Sequence, residues 1–349
     1  MLAGAPQPSQ SSTEALVQNP TPQVTMPHHH DTGPYGDIKL FSGTSSPELS
    51  AQIAQYLGVP LSGRDIIKFP NENIFVRLHS SVRGQDVYVI QTTSAPVSDN
   101  LLELLIMIQT LKLDSAARIT AVVPYLAYAR SDKKDQPRVP ISARLVADMI
   151  EVAGADRYIT MDLHAGQIQG FFSIPGDVLT AFHILTDYFV EKRRELVNPV
   201  IVTADLGFAK KGRNFAARLG ASIAFVEKRR TGNDTGAQAM TVIGEVADRD
   251  VIIVDDEVNT GGSVVQALEI VKAHGARDVY LSFVHAVLAH PAIERLKDLP
   301  FKEIVTTDTI PIPPAKRLPN MHVLSVSPLL GEVIRRAHEG RSVGEMFNE

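Results

Sequence analysis

No cysteine occurs among the 349 residues, which excludes disulfides, thiolate nucleophiles and cysteine metal sites together. A reducing compartment is compatible with that absence without being demanded by it. No apolar run approaches the roughly 18 residues that a membrane span needs. The longest candidate, 101–111, is broken by Glu103 and Gln109. No positively charged start leads into an apolar core, so the sequence predicts no signal peptide and cytoplasmic residence. A basic excess is missing too: the formal net charge of −5 argues against a nucleic-acid binder and makes any anion site a local feature. What is present, 44% hydrophobic and 21% charged residues, suits a soluble globular protein, and the length favours two domains.

Residues 1–36 are rich in Pro, Gln, Ser and Thr and hold few large apolar side chains, so they read as a disordered tail. His28, His29 and His30 within it are more simply incidental or part of a tag than a metal site, and Met26 is an alternative start. From Ile38 onward, short β-rich apolar runs alternate with amphipathic stretches, the pattern of an α/β protein with a largely parallel sheet. Strands are predicted at Val87–Gln91, Ile119–Pro124, Tyr158–Met161, Val200–Thr203, Val251–Val254 and Val279–Val284.

One layout occurs twice. Asp86-Val-Tyr-Val-Ile, a polar loop, the stretch 101–112 and Arg118-Ile-Thr-Ala-Val-Val match in order Asp250-Val-Ile-Ile-Val, an acidic loop, the stretch 264–274 and Arg277-Asp-Val-Tyr-Leu. Two strand–loop–helix–strand units about 160 residues apart predict a duplicated domain, divided as 37–182 and 183–349, with the last helix free to pack back on the first half. Only the second copy keeps acids and Gly-Gly in its loop. The first, Thr92-Thr-Ser-Ala-Pro-Val-Ser-Asp99, has lost the means to hold a charged sugar.

The most informative segment is Val251-Ile-Ile-Val-Asp-Asp-Glu-Val-Asn-Thr-Gly-Gly-Ser263. Its glycines let backbone N–H groups close around an anion at a helix start, so Thr260, Gly261, Gly262 and Ser263 can cradle a phosphate. Asp255 and Asp256, at the carboxyl end of the strand, can accept hydrogen bonds from ribose hydroxyls. The plainer alternative is an acidic turn in which Asn259 or Thr260 caps a helix. Asp162 and His164 leave another strand end and are expected to project to one side, where a neutral imidazole binds Mg²⁺ or a phosphate oxygen; alternatively His164 is a satisfied structural group. Asp205, in a third strand–acid–glycine segment, is a second candidate metal ligand, and the sparse pair suits Mg²⁺ carried with a nucleotide. The run Glu227-Lys228-Arg229-Arg230 precedes a polar, glycine-bearing loop at 231–236. It reads either as a cationic lid cluster for phosphoryl transfer or as a solvated patch. Arg130, in the stretch 125–135 beyond a strand, can meet nucleotide phosphates. Phe69, with Asn71 and Asn73, offers a purine-stacking face or else is plain core.

Taken together these segments resemble the ribose-phosphate pyrophosphokinase (phosphoribosyl pyrophosphate synthetase) family over residues 38–349. Asp162-Leu-His-Ala-Gly-Gln-Ile-Gln-Gly-Phe-Phe172 is close to a full family signature, and 140–148, 305–311 and 328–330 are similar to family segments. The resemblance implies two duplicated phosphoribosyltransferase-like domains, each a mostly parallel sheet flanked by helices. It implies Mg²⁺ as cofactor, ATP and ribose 5-phosphate as substrates, and a homo-oligomer, a dimer-based hexamer, with the adenine pocket completed by a neighbouring subunit. By the same resemblance His164 and Asp205 serve the Mg·ATP phosphates and Lys228 and Arg230 the transition state. Asp255, Asp256, Asn259, Thr260, Gly261, Gly262 and Ser263 take ribose 5-phosphate, and Phe69, Asn71, Asn73, Arg130 and Ser131 take ATP. The chain departs from the family pattern at Asn259, Asn71 and Asn73, where acids are usual or frequent, and at Ser131, where Gln is common. Two other readings carry different consequences: a nucleobase phosphoribosyltransferase, supported by the 255–263 loop alone, and a non-catalytic regulatory paralogue, which is expected to lack the charged groups present here.

Overall fold

A computed structural model of the protein describes residues 35–203, 208–230 and 238–347, without the side chains of 227–230, 238–240 and 347. The first half runs β1 (Ile38–Ser42), α1 (Pro47–Leu57), β2 (Arg64–Lys68), β3 (Ile74–Leu78), β4 (Asp86–Ile90), α2 (Val97–Leu113), β5 (Arg118–Val123), α3 (Ser142–Ala153), β6 (Arg157–Met161) and β7 (Gly176–Leu179). It continues with α4 (Phe182–Glu191), β8 (Val200–Thr203), α5 (Ala209–Leu219), β9 (Ser222–Arg230), β10 (Gln238–Ile243), β11 (Val251–Glu257) and α6 (Gly262–Ala273). Last come β12 (Val279–His285), α7 (Ala292–Leu296), β13 (Phe301–Thr307), β14 (Met321–Leu324) and α8 (Ser327–Glu339).

The strands form a five-stranded sheet in the order β1-β4-β5-β6-β7 and a seven-stranded sheet in the order β10-β9-β8-β11-β12-β13-β14. Every described pairing in the two is parallel except β9 with β10. The architecture is therefore α/β, two mainly parallel sheets flanked by helices. The two orders are also the same order: β1-β4-β5-β6-β7 corresponds to β8-β11-β12-β13-β14. Between the first two strands of each set the chain makes an antiparallel ribbon. In the first half it stands apart as β2–β3, and in the second it joins the sheet edge as β9–β10.

Parallel strands covered on both faces must be apolar throughout, and successive side chains go to opposite faces. That alternation divides the interior. Tyr88 and Ile90 of β4, with Ile252 and Val254 of β11, enter one core that both sheets share. Val87 and Val89 instead face α2 and α3, while Val251 and Ile253 face α6 and α7. The shared core takes α1, α4, α5 and α8 between the sheets. In α8 the buried positions Leu330, Val333, Ile334 and Ala337 follow helical spacing. Burying each of the larger ones contributes about 1.5–3 kcal/mol. Residues Gly33–Glu349 form one compact unit.

A buried polar cluster fastens α8 at its far end. Asp86 and Arg118 are register partners on β4 and β5. Arg118 Nε donates to Asp86 Oδ1 at 2.8 Å, while Oδ2 accepts from Tyr88 at 3.0 Å and from His338 Nδ1 of α8 at 2.8 Å. Arg118 Nη2 also reaches the Ala337 carbonyl at 3.0 Å. Burial opposes the charge on Asp86, yet the hydrogen bonds from His338 and Arg118 overcome it and hold the carboxyl below its usual 3.8. With the folded value depressed, this stabilisation is present above the unfolded value and is lost as pH falls through the folded one. Replacing Asp86 by Asn leaves a buried guanidinium without its counterion, at a cost of about 3–5 kcal/mol. Urea unfolding at neutral pH should show that loss for Asp86→Asn and a flatter acid limb; a midpoint equal to wild type at both pH 7 and pH 3 would contradict this role.

Candidate functional site

The chemistry-bearing segments gather where strands of both sheets end. β11 is longer than its apolar run: pairing with β12 continues to Glu257 opposite His285, so Asp255, Asp256 and Glu257 belong to the strand rather than to a loop beyond it. Asp256 shares a face with Ile252 and Val254, the face turned to the core common to both sheets. The next residues, Val258–Gly261, turn into α6, and Gly261 has φ +76°. That left-handed conformation favours glycine, and it exposes the first N–H groups of a 12-residue helix to an anion. Thr260 and Ser263 are solvent-exposed there and Asn259 is half-buried.

From the first sheet, β6 ends at Met161 and the chain turns at Asp162, whose φ of +38° stops the strand. The turn separates two side chains expected on one side. Asp162 is buried, accepting from Thr180 Oγ1 at 2.9 Å, the Ala181 N–H at 2.7 Å and Lys211 Nζ at 3.2 Å, so it fixes the start of α4. His164 goes the other way and donates from Nδ1 to Asp256 Oδ2 at 2.8 Å. Arg130, on the loop between β5 and α3, donates from Nη1 to Glu257 Oε1 at 2.9 Å. Two charged pairs thus link the first half to consecutive residues of β11.

Electrostatics separates the two aspartates. Asp256 is buried, which alone raises a carboxyl pKa, but the hydrogen bonds from His164 and Asp255 bring it down to about 2. Asp255 moves well above the usual range, through burial and then the charge on Asp256. The bond to Asp256 pushes the His164 imidazole up. With Nδ1 committed, Nε2 has no protein partner among the described residues, so its free edge can donate to a phosphate oxygen or, deprotonated, ligate a cation. A carboxylate behind a histidine is a usual second layer for a metal-binding imidazole. Among the described residues no group of three His, Asp or Glu forms a ready cage. His164 fits Mg²⁺ only as one ligand beside phosphates and waters.

The remaining candidates are dispersed. Ser131 is half-buried, and its backbone carries the loop: N–H to the Tyr128 carbonyl at 2.8 Å, and carbonyl accepting from Ala143 at 3.2 Å. Phe69, Asn71 and Asn73 form the tip of the β2–β3 ribbon. Asn71 Oδ1 accepts from the Asn73 N–H at 3.3 Å, and the exposed Phe69 ring lies 6.0 Å from that of Phe75. Among the described residues no hydrogen bond, ion pair or ring contact joins this tip to His164, Arg130 or Asp256. Lys228 and Arg230 lie on β9 itself, opposite Met240 and Gln238, ahead of the loop expected to carry them. Asp205 and the 231–236 stretch lie outside the described residues.

Sequence reasoning passed over Glu257, Lys211 and His285. Glu257 was signalled only as a third acid in a row. His285 is fully buried: Nε2–H donates to the carbonyls of Met161 at 3.2 Å and Asp162 at 3.3 Å, and Nδ1 accepts from Thr309 at 3.0 Å. Burial lowers its pKa, so it remains neutral and pins the end of β6 to β12.

Comparison with known proteins gives the family. Residues 38–154 match the family described as the N-terminal domain of ribose phosphate pyrophosphokinase, and residues 233–348 match the phosphoribosyl synthetase-associated domain. The ribose-phosphate pyrophosphokinase of Caldanaerobacter subterraneus subsp. tengcongensis is 49% identical over 311 residues, 89% of this chain and 98% of that protein. The Campylobacter jejuni protein of the same name is 45% identical over 309 residues, 88% and 98% of the respective chains. Among solved structures, phosphoribosylpyrophosphate synthetase from Mycobacterium smegmatis superposes with a TM-score of 0.83 at 41% identity, covering 87% of this chain and 99% of its own. Likeness of this extent, running through both sheets and the strand ends that meet between them, means that the chain belongs to the ribose-phosphate pyrophosphokinase family.

Proposed function

We propose that this chain transfers the β,γ-diphosphoryl group of Mg·ATP to the C1 hydroxyl of ribose 5-phosphate, giving phosphoribosyl pyrophosphate and AMP. One observation carries the residue assignment: the 2.8 Å contact between His164 and Asp256, which sets a group suited to phosphates beside a loop suited to a phosphorylated pentose. In this reading the N–H groups of Thr260–Ser263 hold the 5-phosphate, and Asp255 and Asp256 accept from ribose hydroxyls while Asn259 supplies an amide. The C1 oxygen bonds to the β-phosphorus as the bond from that phosphorus to the α,β-bridging oxygen breaks. AMP departs with that oxygen, and the hydroxyl proton is released. His164 and Asp205 would hold Mg²⁺, which supplies charge neutralisation on the phosphates when bound. Arg130 and the edge of His164 orient the polyphosphate, and Lys228 and Arg230 serve the charge that develops in the transition state.

Among the described residues the ribbon tip with Phe69, Asn71 and Asn73 makes no hydrogen bond, ion pair or ring contact with its own chain's cluster, which suits a tip offered to the nucleotide of a neighbouring subunit in a homo-oligomer. Between α2 and α3 the exposed side chains of Leu102, Leu145 and Val152 lie with Leu105, Ile106 and Met149 as an apolar face for a second copy. Among the described residues no helix is long and apolar enough to cross a membrane.

Purified protein given ribose 5-phosphate and ATP, with no nucleobase, should form AMP, and EDTA should abolish that formation. Absence of AMP under Mg²⁺ would reject the reading in favour of base phosphoribosyl transfer or a regulatory role. Lys228→Ala should lower kcat by on the order of 10³, with a smaller change in the KM for ribose 5-phosphate. Light scattering should report an oligomer that Leu145→Asp combined with Val152→Glu dissociates; an unchanged mass would move the contact elsewhere.

A further inference from the structure

Arg130 and Glu257 form a lopsided pair. The carboxylate side chain is 5% exposed and sits on the paired end of β11, whereas the guanidinium side chain is 57% exposed and sits on the loop between β5 and α3. Among the described residues only Nη1 is engaged, at 2.9 Å. A guanidinium has five N–H donors in a planar fork, so Nε and Nη2 remain available on the side away from Glu257. A group on a strand is placed more reproducibly than one on a loop, so in this pair the acid fixes the base. Tyr125 flanks the acid, and burial and the charge on Glu257 push its phenol up. Its ring packs edge-on at 5.1 Å against His285, the strand partner of Glu257.

The pair also has a definite address. Glu257 follows Asp256 directly and precedes the Gly261 turn by four residues, so whatever it holds is set at a fixed offset from the pentose loop. We propose that Glu257 is a positioning residue for the nucleotide: it grips Arg130 by one nitrogen and turns the rest of the fork toward the ATP polyphosphate. Its role rests on the assignment of Arg130 to ATP above, and it adds a second selection, because the distance between the two substrates is then written into β11 rather than into the mobility of a loop. Glu257 touches neither substrate and acts only through Arg130.

Steady-state AMP formation by wild type, Glu257→Gln, Arg130→Ala and the double variant tests this. Glu257→Gln keeps the shape and removes the charge; the KM for ATP should rise on the order of tenfold or more, with the KM for ribose 5-phosphate within about twofold. Because Glu257 works through Arg130, the double variant should be no worse for ATP than Arg130→Ala alone. Glu257→Asp, which keeps the charge but retracts it by a methylene, should also raise the KM for ATP, and it serves in place of Gln if that variant does not fold. An increase with Arg130→Ala but none with either Glu257 variant overturns the positioning role and leaves the ATP assignment standing. So does an additive double variant. An unchanged KM for ATP in Arg130→Ala overturns both.

Discussion

Two ion pairs, His164 with Asp256 and Arg130 with Glu257, join residues 92 and 127 positions apart, and the arrangement of the whole site depends on them. Both acids are neighbours on one strand, while both bases come from connections that leave the other sheet. Such pairs bring little net stability when half-exposed. Their importance is geometric. A strand end in a sheet covered on both faces has nowhere to move, so a loop that pairs with it inherits its position. The core shared by the two sheets brings the strand ends within reach, and the pairs then convert proximity into a fixed relation between a glycine-lined turn and an imidazole.

Duplication explains how one molecule came to have two such edges with, among the described residues, one loop that joins acids to a glycine turn. At the base of each sheet the same device recurs: Arg118 grips Asp86, and Arg277 grips Asp250 with Nε and Nη2 at 2.8 and 3.1 Å. At the opposite edge the copies diverge. Where the second half has acids and glycines, the first has Thr92 and Thr93, whose hydroxyls are spent internally. Thr92 Oγ1 donates to the Thr309 carbonyl at 2.9 Å and accepts from the Tyr125 N–H at 3.1 Å, and Thr93 Oγ1 accepts from the Ala127 N–H at 2.7 Å. The first copy's loop thus braces the segment leading to Arg130.

Residues buried on both faces of a strand announce themselves by an unbroken apolar, β-branched run; β4, β5, β6, β8 and β12 were legible within about a residue for that reason, while β11 runs three residues past its apolar stretch into the acids. The glycine turn after β11 was legible through its chemistry. Pairings across the two halves were not, since nothing local in Arg130 or Glu257 names the other. The separate fates of Asp162 and His164 were hidden for a different reason. Alternation on a strand puts them on one side, and only the left-handed backbone at Asp162, held by Thr180 and Ala181, breaks it. The ribbon tip reads as a ligand group in sequence, yet among the described residues its own chain offers it no partner at the site.

Charge balance bears on why the proposed reaction needs further cations. The protein is net acidic, and His164 and Arg130 already face carboxylates of their own chain, while Arg295 reaches the glycine turn itself and donates from Nη1 to the Thr260 carbonyl at 2.9 Å. Asp256 is ionised against His164, Glu257 neutralises part of Arg130, and Asp255 relieves the crowding by holding its proton more tightly. A pocket balanced in this way does not attract two polyanions strongly by itself. It is ordered before they arrive, however, and ordering is what a transfer between two bound phosphates requires. In the proposed reaction, neutralising the charge would then fall to groups that come with the substrates or from outside the pairs: Mg²⁺ at the free edge of His164, and the basic end of β9. Positioning and charge supply are thereby assigned to different residues, and a change in either set should leave the other recognisable.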